Sequence, residues 1–297
     1  MIAKEEITVW FQTLQADICN ALEDADGTGK FTADVWQRPG GGGGTSRVID
    51  DGSVIEKGGV NFSAVYGETP TKILTALNLD KANFYATGVS IVLHPHNPFV
   101  PIIHMNVRYF EMSNGTYWFG GGIDLTPHYI DREDAQFFHS SLKEVCDRFD
   151  PAYYPSYKKW ADDYFYIKHR KETRGIGGIF FDRLTPKDNQ SKSDIFSFVQ
   201  AVGQAFAPIY THFMNKNRDL PYNDQHKKWQ YIRRGRYVEF NLVWDKGTKF
   251  GLDTDGRTES ILMSLPPFAA WRYNFTPPAD SAEAYTISLL NKDINWI

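Results

Sequence analysis

Polar and apolar residues alternate without a break from Ile103 to Tyr109, inside the run PIIHMNVRYF. In a strand, successive side chains point to opposite sides, so Ile103, Met105, Val107 and Tyr109 share one face and His104, Asn106 and Arg108 the other. The first is a core face. The second carries an acid/base group, an amide that both donates and accepts, and a permanent cation, which suits an anionic ligand and a proton transfer. A plain solvated sheet face is the competing reading.

The same pattern reading divides the rest of the chain. Apolar residues at helical spacing (Ile7, Trp10, Leu14, Ile18, Leu22) predict a helix over residues 5–24, ended by the turn-forming Asp26-Gly27-Thr28-Gly29. Short strands are predicted around 31–37, 47–49 and 60–66, with the glycine run Gly40 to Gly44 as a loop. Strands dominate from there to Gly122, and Asn114-Gly115 marks a two-residue hairpin turn within 102–119. A helix capped by Asp131 follows, and a second, after Pro155, is expected to carry Lys168 to Lys171 in its last turns. Helices are also expected at 193–215, 222–231 and 282–290, and strands at 236–244, 249–252 and 258–265. Strands towards both ends with helices between them predict an α+β fold, and no linker or composition break divides the 297 residues, so residues 1–297 read as a single domain.

Composition narrows the function classes. A net charge of −4 leaves no overall basic field for nucleic acid or an anionic membrane, so local arginines must bind any anion. The two cysteines, Cys19 and Cys146, lie far apart and suggest neither a disulfide framework nor a thiolate metal site. No apolar run approaches the ~18 residues of a membrane span, and a cytoplasmic protein is expected. Aromatic residues make up 15% of the chain, which suits a flat or apolar ligand body as well as an aromatic-rich core.

Several segments carry candidate chemistry. RPGGGGGTSRV lacks the Gly-Lys-Ser/Thr ending of a nucleotide loop and reads better as backbone that a ligand can approach. In WFGGGIDLTP, a two-residue hairpin turn would place Asp124 on the Met105 side of the sheet. One bulge within Gly120 to Gly122 would flip it to the His104 side, and such a bulge is expected. RGIGGIFFD places Arg174 beside another glycine cluster. Arg233, Arg234, Arg236 and Arg257 add guanidinium groups able to pair planar carboxylates, as surface arginines also would. His94, His104, His139 and His169 could between them hold a divalent metal, although no established metal-binding spacing is present.

The segments WQRPGGGGGTSRV, GVNFSAVYGE, GVSIVLHPHNPFVP, HMNVRYF, WFGGGIDLTP, YKKWADDYFYIKHR, RGIGGIFFD and GRYVEFNLVWDKGTKFGLDTDGRTESILMSLPP together resemble the oxygen-dependent coproporphyrinogen III oxidases, most densely over residues 36–272. The resemblance implies a flat antiparallel sheet flanked on both faces by helices, and a homodimer with its interface within 237–272. It implies oxidative decarboxylation of two propionates of coproporphyrinogen III to vinyls, giving protoporphyrinogen IX for heme biosynthesis, with O2 consumed and CO2 and H2O2 released.

Residue by residue, the resemblance makes Ser90, Asn106, Arg108, Gly256 and Arg257 substrate contacts and His104 the proton donor. Asp124 becomes the carboxylate that grips pyrrole N–H groups, and Arg174 a propionate partner. Two positions depart from the family pattern: Asp255 precedes Gly256-Arg257, and Ala64 stands where a histidine is frequent. Family descriptions also give His94, His104, His139 and His169 as divalent-metal ligands, yet the chemistry can be written with no cofactor beyond O2. Two alternatives remain, a histidine-metal oxygenase acting on a related tetrapyrrole and a tetrapyrrole carrier without turnover.

Overall fold

The computed structural model describes residues 2–69, 74, 81–187, 189–253 and 256–297. Helix α1 (Lys4–Asp26) buries Ile7, Phe11, Leu14, Ile18 and Leu22 along one stripe and ends at Gly27, whose φ of 93° an L side chain resists. The buried Asp26 carboxylate accepts backbone N–H groups from Gly29, Ser53, Val54 and Ile55 at 2.7–2.9 Å, which pins the end of the helix to the sheet.

Six consecutive strands form an antiparallel meander: β1 (Thr32–Gln37), β2 (Gly42–Asp50), β3 (Ile55–Glu68), β4 (Asn83–Pro95), β5 (Ile102–Met112) and β6 (Tyr117–Thr126). The strand β9 (Gly178–Leu184) adds to β6 as the seventh, and β7 (Tyr166–Ile167) and β8 (Glu172–Thr173) make a separate small hairpin. The glycine run is less of a loop than expected, because the chain turns at Gly41 and Gly42, and Gly42 to Gly44 already pair with β3.

The two faces of the sheet are covered differently. One buries Ile103, Met105, Val107 and Tyr109 in the main core against α1, α2 (Arg132–Asp147) and α4 (Lys192–Asn217), which contribute Phe11, Phe138, Leu142, Phe198, Phe206 and Phe213 among others. Asp131 caps α2 as its sequence predicts, accepting the N–H of Asp134. The opposite face meets residues from 224–265, where the predicted strands at 236–244, 249–252 and 258–265 are instead helical. Helix α5 (Asp224–Glu239) runs into a wider π-helical turn at Phe240–Trp244, followed by α6 (Lys246–Asp253) and α7 (Thr258–Leu262). Tyr237 packs on Val92 and Ile102, and Met263 sits where Gly59 leaves room on β3. Helices thus flank an antiparallel sheet on both sides, in an α+β fold.

Helix α3 (Tyr153–Tyr164) stops short of its expected end, so Lys168 to Lys171 form the turn of the β7/β8 hairpin rather than a helix terminus. The chain closes with α8 (Ala282–Ser288) near its predicted place. Among the described residues, no helix is long and apolar enough to cross a membrane.

Candidate active site

Strand register decides which side chains share the polar face. The Met112 N–H donates to the Thr116 carbonyl at 2.7 Å and closes the β5–β6 ladder, so the turn has three residues, Ser113 to Gly115, with Gly115 at φ 88°, rather than the two expected from Asn114-Gly115. The extra residue slides β6 by one position. His104 therefore lies opposite Asp124, and Arg108 opposite Gly120, in an unbroken ladder through Gly122. Asp124 reaches the His104 side as expected, but the turn puts it there and not a bulge against β5. The irregularity among the glycines falls on their other edge, between Phe119 and Gly121 where β6 pairs with β9.

Three rows cross the polar face. In the central row Ser46, Asn61, Ser90, Asn106 and Gly122 are successive partners on β2 to β6. On one side lie Gly59, Val92, His104 and Asp124, and on the other Gly44, Ser63, Gly88, Arg108 and Gly120. Small side chains make up most of this floor, and the long ones, His104 and Arg108, stand on β5 with Asn106 between them. The sequence alternation that grouped His104, Asn106 and Arg108 holds, and Ser90 joins them through the register.

His104 and Asp124 form the centre. The Nδ1 of His104 lies 2.7 Å from Asp124 Oδ1. Burial raises the proton affinity of the Asp124 carboxyl, but the Arg174 guanidinium and His104 outweigh it and hold the group below its ordinary range, so it is an ionised acceptor. Nδ1 must then be the donor, which leaves Nε2 of the partly exposed imidazole as the nitrogen that can exchange a proton.

Asp124 does not face an open cleft. It is 2% exposed, and Arg174 Nη2 donates to both its oxygens at 2.9 and 2.7 Å. Arg174, 3% exposed, gives Nη1 to Asn241 Oδ1 at 2.9 Å. The rings of Phe165, Tyr237 and Phe240 surround its guanidinium carbon at 4.4, 4.6 and 4.7 Å. In this structure the two residues read as a grip on pyrrole N–H groups and a propionate partner instead hold each other, buried beneath His104. Gly178 makes the enclosure fit: it lies opposite Asp124 at φ 154°, and a Cβ there would come within 2.0 Å of the Ile123 carbonyl.

Arg108 is the open counterpart. About a third of its side chain is exposed, with Nη1 donating to Asn106 Oδ1 at 2.6 Å and Nη2 to Asp182 Oδ1 at 2.8 Å. Arg257 lies toward the β1 edge, pairing with Asp34 and donating Nη1 to Ser46 Oγ and Ser260 Oγ at 3.3 and 3.1 Å. From Ser46 to Asn106 is three strand spacings, roughly 14 Å. Two guanidinium groups thus stand toward the two ends of the central row. The backbone N–H of Gly256 is taken by the Gly251 carbonyl at 2.8 Å, an internal turn contact, and Asp255 lies outside the described residues.

The four histidines read as metal ligands are not gathered. His94 is fully buried with Nε2 on the Ser264 carbonyl, so its N–H is there. His139 sits on the buried face of α2 with both nitrogens engaged, by the Tyr154 hydroxyl and the Ile176 carbonyl at 3.0 Å each, and burial pushes its pKa down to about 3. His169 is on the β7/β8 turn against Glu239, 2.7 Å away. Among the described residues no three His, Cys, Asp or Glu side chains are grouped to hold an ion. The quartet is split between two sides of the sheet, and each member has at least one ring nitrogen engaged by the protein, so the four do not fit a common metal.

Sequence reasoning assigned no role to Asp182, Asn241, Tyr237 or Phe165. Asp182 was within reach of the pattern, because alternation along GIFFD from Gly178 puts Gly178, Phe180 and Asp182 on one face. The others come from distant segments, and nothing local announces them.

The family model described as coproporphyrinogen III oxidase matches residues 6–296. The oxygen-dependent coproporphyrinogen-III oxidase, chloroplastic, of Glycine max is 50% identical over 95% of this chain and 77% of its own. Coproporphyrinogen-III oxidase 1, chloroplastic, of Arabidopsis thaliana is 48% identical over 95% and 76%. The oxygen-dependent coproporphyrinogen-III oxidase of Prochlorococcus marinus is also 48% identical, over 95% and 88%. Matched almost end to end, the chain belongs to the coproporphyrinogen III oxidase family.

Proposed function

We propose that this chain is an oxygen-dependent coproporphyrinogen III oxidase, converting two propionate side chains of its substrate to vinyl groups and so making protoporphyrinogen IX in heme biosynthesis. For each propionate, one O2 is consumed and one CO2 and one H2O2 are released. The observation that carries the reading is the polar face of the sheet. It is a broad floor of small side chains, bordered by separated guanidinium groups and provided with one acid/base residue whose tautomer is set from below.

The substrate's pyrrole is electron-rich and reacts directly with O2, and the peroxide formed takes hydrogen from the propionate as CO2 departs. The protein supplies orientation, charge and protons. Arg108 and Arg257 hold carboxylates, with Asn106 and Ser90 hydrogen-bonding between them. His104 Nε2 exchanges the proton at the reacting pyrrole. Asp124 orients His104 by fixing its tautomer, and Arg174 keeps Asp124 ionised in an apolar surround. No step in this scheme needs a metal, and the enzyme is read as cofactor-independent with O2 as co-substrate.

Aerobic turnover of coproporphyrinogen III, with metal analysis of the same preparation, tests this. One peroxide per vinyl group formed, two per protoporphyrinogen IX, is expected, and exhaustive chelation should leave the rate unchanged. Complete loss restored by a single metal would overturn the metal-free scheme, and tight binding with no product would indicate a carrier.

The working unit is read as a homodimer using 237–272. Leu242, Val243, Leu252, Phe268 and Trp271 in that segment are each at least 41% exposed, an unusual concentration of large apolar side chains. Tyr237 and Phe240 of the same segment are buried over Arg174 and belong to the site instead. Sedimentation of the purified protein, with Trp271→Glu as the interface variant, checks this assignment.

A further inference from the structure

The structure assigns Asp182 the role of an exchangeable counter-anion for Arg108, occupying the guanidinium before substrate binds and taking it back once the propionate has left as CO2. This rests on the reading of Arg108 as a propionate clamp. Asp182 comes from β9, across β6 from Arg108, and the two meet above Gly120, where a Cβ would lie 2.8 Å from both Arg108 Nε and Asp182 Oδ1. The geometry brings a carboxylate to the place where a substrate carboxylate would be gripped.

An incoming propionate has two options at this point. It displaces Asp182, or it puts two carboxylates on one guanidinium, where they repel each other. Displacement is easily achieved, because both partners are about a third exposed and such pairs are weak. The Asp124–Arg174 pair, 2 and 3% exposed, has no such freedom. The chemistry then gives the exchange a direction: the reacting group enters as an anion and leaves as a neutral vinyl. Arg108 loses its partner at that moment, and Asp182 neutralises it without waiting for another ligand.

Binding of coproporphyrin III, the non-reacting oxidised analogue, followed by quenching of tryptophan fluorescence, tests the exchange. Asp182→Asn keeps the shape of the side chain and removes the competing charge. It should tighten coproporphyrin III binding about fivefold, with a smaller gain for protoporphyrin IX, which has lost two of the four carboxylates. Arg108→Ala should weaken coproporphyrin III at least tenfold, and in that background Asp182→Asn should have no further effect. Weakening by Arg108→Ala beside unchanged or reduced affinity in Asp182→Asn overturns the exchange alone. A gain from Asp182→Asn that persists without Arg108 also overturns it, since the effect would then be one of general charge. Unchanged affinity in both single variants overturns the assignment of Arg108 and the exchange with it.

Discussion

Of the aspartate–arginine pairs that border the polar face, two on its β6 side differ in almost everything except chemistry. Asp124 and Arg174 are joined through both carboxylate oxygens, ringed by three aromatic side chains and nearly sealed from water. Asp182 and Arg108 share one hydrogen bond and are open to solvent. A sealed pair is a fixed part, whose value lies in what it holds still. An open pair can trade partners. The same two residue types therefore serve as scaffold on β6 and as ligand-exchange site between β5 and β9, and burial alone separates the roles.

The sharpest way to break this contrast is to remove the cation from each pair. Arg174→Met should destabilise the protein by about 3–5 kcal/mol in denaturant titrations, because a buried carboxylate loses its partner. Arg108→Met should cost less than about 1 kcal/mol while abolishing most binding of substrate. Equal stability losses would erase the distinction.

A large effect on rate is expected at the residue the sealed pair supports. His104→Gln should lower kcat by about 10²–10⁴-fold with little change in KM, as expected for loss of a proton-transfer group. Asp124→Asn should approach that loss and add a stability deficit, since Arg174 is left without its anion. If Asp124→Asn turned over at the normal rate, the orienting role would be wrong.

Acid titration sharpens the comparison further. Asp124 is held below its ordinary carboxylate value, so its contribution is complete above about pH 4 and is lost as pH falls through its lower folded value. The buried His139 acts from the base side. Its folded pKa of about 3 lies below the ordinary 6.5, so unfolded chains bind more protons in between. Stability is complete above pH 6.5 and declines by up to about 1.4 kcal/mol per pH unit on acidification towards 3. His139→Gln should flatten part of that slope, read from denaturant midpoints between pH 7 and 4.

The smallest effect is expected from salt. Raising ionic strength should weaken substrate binding through Arg108 severalfold and leave the Asp124–Arg174 pair untouched, because screening acts on exposed charges. KM should rise with salt while thermal stability stays level.

The parts of the site carried by one strand were legible in the sequence. His104, Asn106 and Arg108 are two residues apart, and period-two alternation needs no tertiary information. Asp124 was legible in outcome and misjudged in cause, since turn length is harder to read than turn chemistry. The C-terminal third misled because α5 and the π-helical turn bury Arg233, Arg234 and Asn241 beside Tyr237, Val238 and Phe240. Polar side chains on the inward face hide a helical stripe, and the aromatic and β-branched residues that remain imitate a strand. The four histidines looked like a set only because sequence cannot show that His139 and His104 lie on opposite sides of a sheet.

Hairpin tips ordinarily tolerate insertion and deletion, being exposed and remote from chemistry. The tip at Ser113 to Gly115 cannot. Deleting one of its three residues would slide β6 by one step against β5, sending Asp124 toward the apolar core and Ile123 toward His104. In this enzyme the length of a surface loop is thus a constraint as strict as the identity of any catalytic side chain, and a one-codon deletion there would inactivate it while every active-site residue remained in the gene.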